Sequence, residues 1–314
     1  MTRLQRLASS TLAVTILLVA IGGFTRGSGS GFGCADRWPL CEDGLLGGVL
    51  PRPEFSMVVE WTHRWFASIA VLLVGVTTVY VWLRYRSERG LRWGATAGLF
   101  TILGQAVLGA VVVKTNLATD LVSVHLAVAM VLLALLSFVV VESFFAAAGG
   151  EPVRSTTPDL GWRRALWGGV VATFTVIVLG SLVHNQYVGG WPLIAGQIIP
   201  DLSSRLVALH FGHRVAVALT VLLLAWLTAL GRGRGRPIPE VRLVGAAFAL
   251  FVLNVALGAA HVFTQVRSAG LVVGHLLVAS LVWCALVAAA AVARRADRAG
   301  LAARPQREPM RAST

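Results

Sequence analysis

The sequence has few charged residues. Charged side chains make up 13% of its 314 residues, whereas soluble domains average about 25%. Apolar residues account for 56% of the chain, and the mean hydropathy is +0.76. This shortage of charge excludes a soluble globular domain and indicates an integral membrane protein.

Long apolar stretches supply the predicted membrane spans, because a helix needs about 20 apolar residues to cross the hydrocarbon. Eight stretches qualify: 7–25, 57–83, 93–113, 121–146, 164–184, 205–230, 243–263 and 269–293. A cleavable signal peptide is the alternative for the first stretch. We favour a retained helix, because an even number of spans returns both termini to one side.

Acidic residues are scarce, and arginine carries most of the charge. There are 27 Arg and Lys residues against 14 Asp and Glu, a net charge of +13. Nineteen of the 27 fall in alternate connecting segments, which is the positive-inside pattern of membrane proteins. This placement argues against nucleic acid as a partner and leaves membrane lipid as the partner of the basic surface.

Two histidine pairs recur at one spacing. His63 and His125 are 62 residues apart, and so are His213 and His275, which follow 150 residues later. Each half also has a His-Arg dipeptide, a Trp-Pro-Leu tripeptide and a GAVVVKT-like segment. These landmarks indicate a parallel internal repeat. The predicted fold is an all-α integral membrane protein of eight transmembrane helices, arranged as two pseudo-symmetric four-helix bundles with both termini cytoplasmic.

The repeat divides the chain into four parts. Residues 1–148 form the first four-helix repeat, and 164–293 form the second. The segment 149–163 contains Gly, Pro and polar residues and is predicted to be a cytoplasmic linker. Residues 294–314 are predicted to be a disordered, basic cytoplasmic tail.

The four histidines lie near the outer ends of predicted helices, where an ionisable side chain in apolar surroundings is costly and suggests function. Two imidazoles from two helices suit the axial ligation of a flat macrocycle inside a bundle. Zinc fits less well, since it takes three or four ligands and the helices of the second repeat are expected to lack carboxylates. A hydrogen bond to a neighbouring helix is the alternative for each histidine. His184 and His261 have no repeated partner and are interpreted as interfacial.

Glu60 distinguishes the two pairs. It precedes His63 by three residues and therefore shares its helix face, so its carboxylate could position water, transfer a proton or stabilise a developing cation. An interfacial ion pair with Arg64 is the alternative. The position of Glu60 in the second repeat is His210. We therefore predict chemistry at the first site and a supporting prosthetic group at the second.

Three basic residues are candidates for binding the propionates of a macrocycle: Arg64, Arg214 and Lys114, the only lysine. Guanidinium binds carboxylates through two hydrogen bonds. Simple extension of these side chains to the membrane surface is the alternative.

Cys34 and Cys41 lie in the first outer loop. That side of the membrane is oxidising, so a disulfide is the expected state, with a redox-active dithiol as the second hypothesis. Cys284 is interpreted as a buried apolar residue.

These motifs together resemble the heme A synthases of the CtaA/COX15 type. The segments that carry the resemblance are GGFTRGSGSGFGCADRWPLC, EWTHR, GAVVVKT with His125, HFGHR, and His275. The resemblance implies that heme O binds between His63 and His125 and that its C8 methyl group becomes the formyl group of heme A. It also implies heme b between His213 and His275, Glu60 as the essential carboxylate, and a catalytic or heme-transfer role for the cysteine pair.

The resemblance further implies a multi-pass protein of the plasma membrane, with the cysteine loop extracytoplasmic. A heme O synthase and cytochrome oxidase assembly are the implied partners, and a homo-oligomer is left open. Two alternatives come from other classes of protein. One is a di-heme b-type electron-transfer cytochrome, which has no need of Glu60. The other is a transporter with parallel repeats, which needs polar residues near the midplane, where this sequence is nearly all Leu, Val, Ala and Gly.

Overall fold

The computed structural model describes residues 1–147, 159–183 and 187–302. Eight long helices occupy these residues: α1 (Arg3–Gly27), α2 (Phe55–Arg84), α3 (Arg89–Lys114), α4 (Thr119–Ala147), α5 (Leu160–Leu182), α6 (Arg205–Gly233), α7 (Ile238–Phe263) and α8 (Ala269–Ala302). Each is long and apolar enough to cross a membrane. The prediction of an all-α, multi-pass membrane protein is thereby confirmed.

Several helices extend beyond their apolar stretches. α5 begins at Leu160, inside the predicted linker, because the Asp159 carboxylate caps it by accepting the Trp162 N–H at 2.8 Å. This hydrogen bond, with a smaller contribution from Arg234, lowers the pKa of Asp159. α8 continues to Ala302, so residues 294–302 of the predicted disordered tail are helical. Residues 148–158 of the linker and 303–314 of the tail lie outside the described residues.

The helices form two closed rings. In the first half, α1 packs on α2, α2 on α3, α3 on α4, and α4 on α1. In the second half, α5 to α8 pack in the same cyclic order. We interpret the matching contacts as support for the predicted repeat of two four-helix bundles.

A seam between the halves is formed by α1 against α8, α4 against α5, and α4 against α8. One buried core runs through it, with members from both halves such as Met130, Leu133, Leu224 and Val282. The indole N–H of Trp283 in α8 donates to the Met130 carbonyl of α4 at 2.7 Å. This cluster therefore joins the two halves, and smaller buried clusters lie beside it.

Buried ion pairs gather at one end of the bundle. Glu142 of α4, fully buried, accepts from Arg294 and Arg295 of α8. Arg236 binds both Glu240 and Asp297, at 3.0 and 3.2 Å. Buried charges are costly unless paired, so these contacts explain why α8 stays helical past residue 293. They also correct one expectation, because Glu240 and Asp297 are carboxylates within α7 and α8.

Candidate functional site

The four repeated histidines lie at the other end, called here the histidine end, near the starts of α2, α4, α6 and α8. His63 is within electrostatic range of His125, and His213 is within range of His275. The structure thus brings together each pair that the sequence spacing predicted.

A glycine faces each imidazole from the preceding helix. A Cβ added at Gly22 of α1 would lie 3.1 Å from Nε2 of His63, and one at Gly180 of α5 would lie 3.0 Å from Cε1 of His213. Gly109 and Gly258 face His125 and His275 in the same way, at 3.3 and 3.2 Å. A side chain at these positions would press on the ring, so the glycines set the room available to each imidazole.

Polar groups of α3 and α7 hold the histidines of α4 and α8. Nδ1 of His275 lies 3.1 Å from the Asn254 carbonyl. If Nδ1 donates this bond, the lone pair of Nε2 is left for a metal, as is usual for metal-bound histidine. In the first half, the Gln105 amide donates to the His125 carbonyl at 2.7 Å. Gln105 and Asn254 occupy matching places before the GA motif, although sequence analysis did not single them out.

The second pair faces a large apolar cavity of about 730 Å³. This volume lies within the range of roughly 300–1,000 Å³ that is typical of small-molecule sites. Both His213 and His275 line it, together with His210, His261 and Arg214. The two imidazoles and the volume of this cavity fit a flat ligand that is held by two histidines, such as heme. His261 therefore lines a cavity rather than only an interface, and His184 lies outside the described residues.

We expect Gly180→Val to weaken the binding of a flat ligand at the second pair about tenfold or more, because the added methyl groups would press on the His213 ring and overpacking costs about 1–3 kcal/mol. Gly168→Val in the same helix is the matched control, since a Cβ at Gly168 meets nothing within 4 Å. Titration of the purified variants with heme, followed by absorbance, measures the difference. Equal affinity in both variants would contradict the assigned contact.

Glu60 is buried, with 3% of its surface exposed, and both of its carboxylate oxygens are engaged. Oε2 accepts the backbone N–H of Cys34 at 2.8 Å. Oε1 accepts Nε–H of Arg64 at 3.1 Å and a second bond from Nη2 of the same residue. The carboxylate therefore joins the cysteine loop to α2, one helical turn before His63.

Arg64 and Arg214 hold equivalent loops. Nη1 of Arg64 donates to three carbonyls of the first loop, those of Arg37, Pro39 and Leu40. Nη1 of Arg214 donates to three carbonyls of the second loop, those of Gly190, Pro192 and Leu193. Each loop contains a cis Trp-Pro bond, Trp38-Pro39 and Trp191-Pro192. Nη2 of Arg214 is buried without a hydrogen-bond partner, whereas Nη2 of Arg64 binds Glu60.

The remaining predicted residues differ in their surroundings. Cys34 and Cys41 form a disulfide and are fully buried, which confirms the expected bonded state. Cys284 is buried, as expected. Lys114 is exposed at the last position of α3 and forms no ion pair within the described part of the chain.

The fold and these residues define a multi-pass membrane protein with two histidine pairs on its helices, one of them lining a cavity of ligand size. The family model of the cytochrome oxidase assembly proteins, COX15-CtaA, matches residues 49–296, and the chain belongs to this family.

Individual relatives support the same family. The chain is 30% identical over 295 residues to the heme A synthase of Symbiobacterium thermophilum, covering 87% of this chain and 92% of the relative. It is 27% identical to the heme A synthase of Alkalihalophilus pseudofirmus, covering 90% and 94%. It is also 30% identical to a protoheme IX farnesyltransferase of Thermus thermophilus, covering 95% of this chain and 50% of that relative.

Proposed function

We propose that this protein is a heme A synthase, which converts the C8 methyl group of heme O into the formyl group of heme A. Two successive two-electron hydroxylations of the methyl carbon, in which water supplies each oxygen atom and an external acceptor takes up the electrons, followed by loss of water, give the formyl group. Family membership supports the reaction class. The observation that carries the assignment of the site is Glu60, which is buried one turn from His63 and has no counterpart at the second pair.

Heme O would bind between His63 and His125, and heme b between His213 and His275. The cavity, the facing glycines and the Asn254 hydrogen bond to His275 fit a heme at the second pair. His213 and His275 would hold this heme, and it would supply one-electron transfer there. The protein's own contribution there is to fix both rings and to exclude water with apolar walls.

Glu60 would act as the proton acceptor of the reaction. The Arg64 guanidinium and the Cys34 amide donate to its carboxylate and fix its position. From there the carboxylate would take a proton from water or stabilise a developing positive charge on the methyl carbon. Arg64 is already bound to Glu60 and to the loop carbonyls. We therefore assign Arg64 to positioning Glu60, and Arg214, with its unpaired Nη2, to binding a propionate.

The Cys34–Cys41 disulfide would hold this arrangement in place. It closes the loop whose Cys34 N–H binds Glu60 and whose carbonyls bind Arg64. The distribution of arginine supports a plasma-membrane protein with this loop extracytoplasmic and both termini cytoplasmic. The Thermus relative, named a protoheme IX farnesyltransferase, supports a heme O synthase as the partner that delivers the substrate.

Extraction and chromatography of the hemes that co-purify with the protein test this function. Heme O, a hydroxylated heme or heme A alongside heme b is the expected result when the cells supply heme O. Heme b alone, in the presence of heme O, would favour the electron-transfer cytochrome. Absence of heme from a folded preparation would favour transport.

A further inference from the structure

Arg26 belongs to the first half by position, but its side chain lines the cavity of the second. It lies in the last turn of α1, and it is the one charged residue from α1–α4 among the described residues that line this cavity. The walls around it are largely apolar, with members such as Val122, Leu126 and Val272.

The packing of α1 against α8 directs Arg26 there. A Cβ at Gly23 would lie 2.8 Å from Cδ2 of Leu276, and a Cβ at Gly27 would lie 3.2 Å from Cβ of Val272. Residues three apart share a helix face, so Arg26 lies beside Gly23, which packs against α8. Leu276 and Val272 line the same cavity.

The guanidinium of Arg26 has donors without acceptors. Its side chain forms no hydrogen bond or ion pair with any residue that the structure describes. Nη2 of Arg214, which lines the same cavity, is buried and equally without a partner. No Asp or Glu is found among the described residues of the cavity wall. Two cations thus face an apolar space with no anion of the protein's own, and a charge in such surroundings is costly unless a partner arrives.

We infer that Arg26 and Arg214 together bind the carboxylate groups of the ligand in the second cavity, so that the first half supplies a binding residue to the second site. The inference deepens the proposed function, since the carboxylates would be the propionates of the bound heme. Each guanidinium offers a planar set of N–H donors that suits a carboxylate. In Arg214, Nη1 donates to the loop carbonyls and Nη2 is left to bind a carboxylate. In Arg26, the whole guanidinium is left to bind one.

The test is the rate at which the purified full-length protein releases heme to an excess of apomyoglobin. The protein is loaded either with protoheme or with its dimethyl ester, which lacks the two carboxylate charges. The release phase that disappears in His213→Ala belongs to the second site. We expect Arg26→Gln to release protoheme about tenfold faster than the parent protein and to release the dimethyl ester at the parent rate. Arg26→Lys, which keeps the charge, is expected to fall between the two.

Arg267→Gln is the matched control. Arg267 lies at the same end and is exposed, next to Val266 of the cavity wall, but is not itself part of that wall. Protoheme release from Arg26→Gln at the parent rate would overturn the inference. Equal acceleration for protoheme and its ester would also overturn it, because it would show that Arg26 acts by packing. Failure of the parent protein to take up heme would instead count against the proposed function.

Discussion

Replacing Glu60 with alanine is expected to lower heme A formation by about 100- to 10,000-fold, the usual contribution of a positioned proton-transfer group. Heme O or its singly hydroxylated derivative should accumulate, while heme b stays bound. The reason is local: Glu60 lies beside the first histidine pair, and no carboxylate occupies its place at His210. Heme extraction from cells that express the variant with a heme O source measures both quantities.

Two further variants separate the chemistry of Glu60 from its hold on the cysteine loop. Glu60→Gln keeps an oxygen that can accept the Cys34 N–H but loses the negative charge, so it should be nearly as inactive as the alanine variant. Glu54→Gln removes an exposed carboxylate near the start of the same helix and should retain full activity. Normal heme A formation by Glu60→Ala would remove Glu60 from the mechanism. High activity of Glu60→Gln alone would reduce its role to anchoring the loop.

If the proposed heme b site is right, replacing His213 with alanine should reduce bound heme b to less than about one tenth of the parent content, because the proposed pair would lose one of its two histidines where the surrounding wall is apolar. The heme content per protein, measured as the pyridine complex after purification, gives the result. The expected loss is at the second site alone, so heme O should still bind at the first.

His261 provides the matched control for that measurement. It lines the same cavity, but the position that matches it in the first half is Val112, so it is not part of the repeated pair. His261→Ala should keep most of its heme. A loss as complete as that of His213→Ala would show that the ligand pair has been assigned wrongly.

The sequence was sufficient to predict the eight helices and the partners of each histidine pair. A membrane forces apolar runs into helices, and the duplicated spacing of His63, His125, His213 and His275 exposed the pairs. The helix ends were less predictable. Arg294 and Arg295 look like the start of a solvated tail, but Glu142 of α4 neutralises both, and that contact depends on how α4 and α8 meet.

The surroundings of Glu60 could not be predicted for a related reason. Its partner, the Cys34 amide, is 26 residues away in the chain and lies in a loop without periodicity. The alternative of an ion pair between Glu60 and Arg64 was visible from their spacing, and the structure contains it. A signal for the glycines was also present. Gly109 and Gly258 open the repeated GA motif, but only the structure shows that each faces an imidazole.

The seam between the halves bears on how such a chain could arise. In the repeat, α1 corresponds to α5 and α4 corresponds to α8, so the α1–α8 contact corresponds to the α5–α4 contact. Two identical subunits related by a two-fold axis make such paired contacts. A four-helix ancestor that dimerised through this seam would have had two equal sites, each with lining residues from the other subunit. Fusion would then have let one site keep a carboxylate and the other lose it. By the same geometry, a C-terminal half expressed alone would lack the part of its cavity wall that the first half supplies, namely Arg26 of α1 with Val122 and Leu126 of α4.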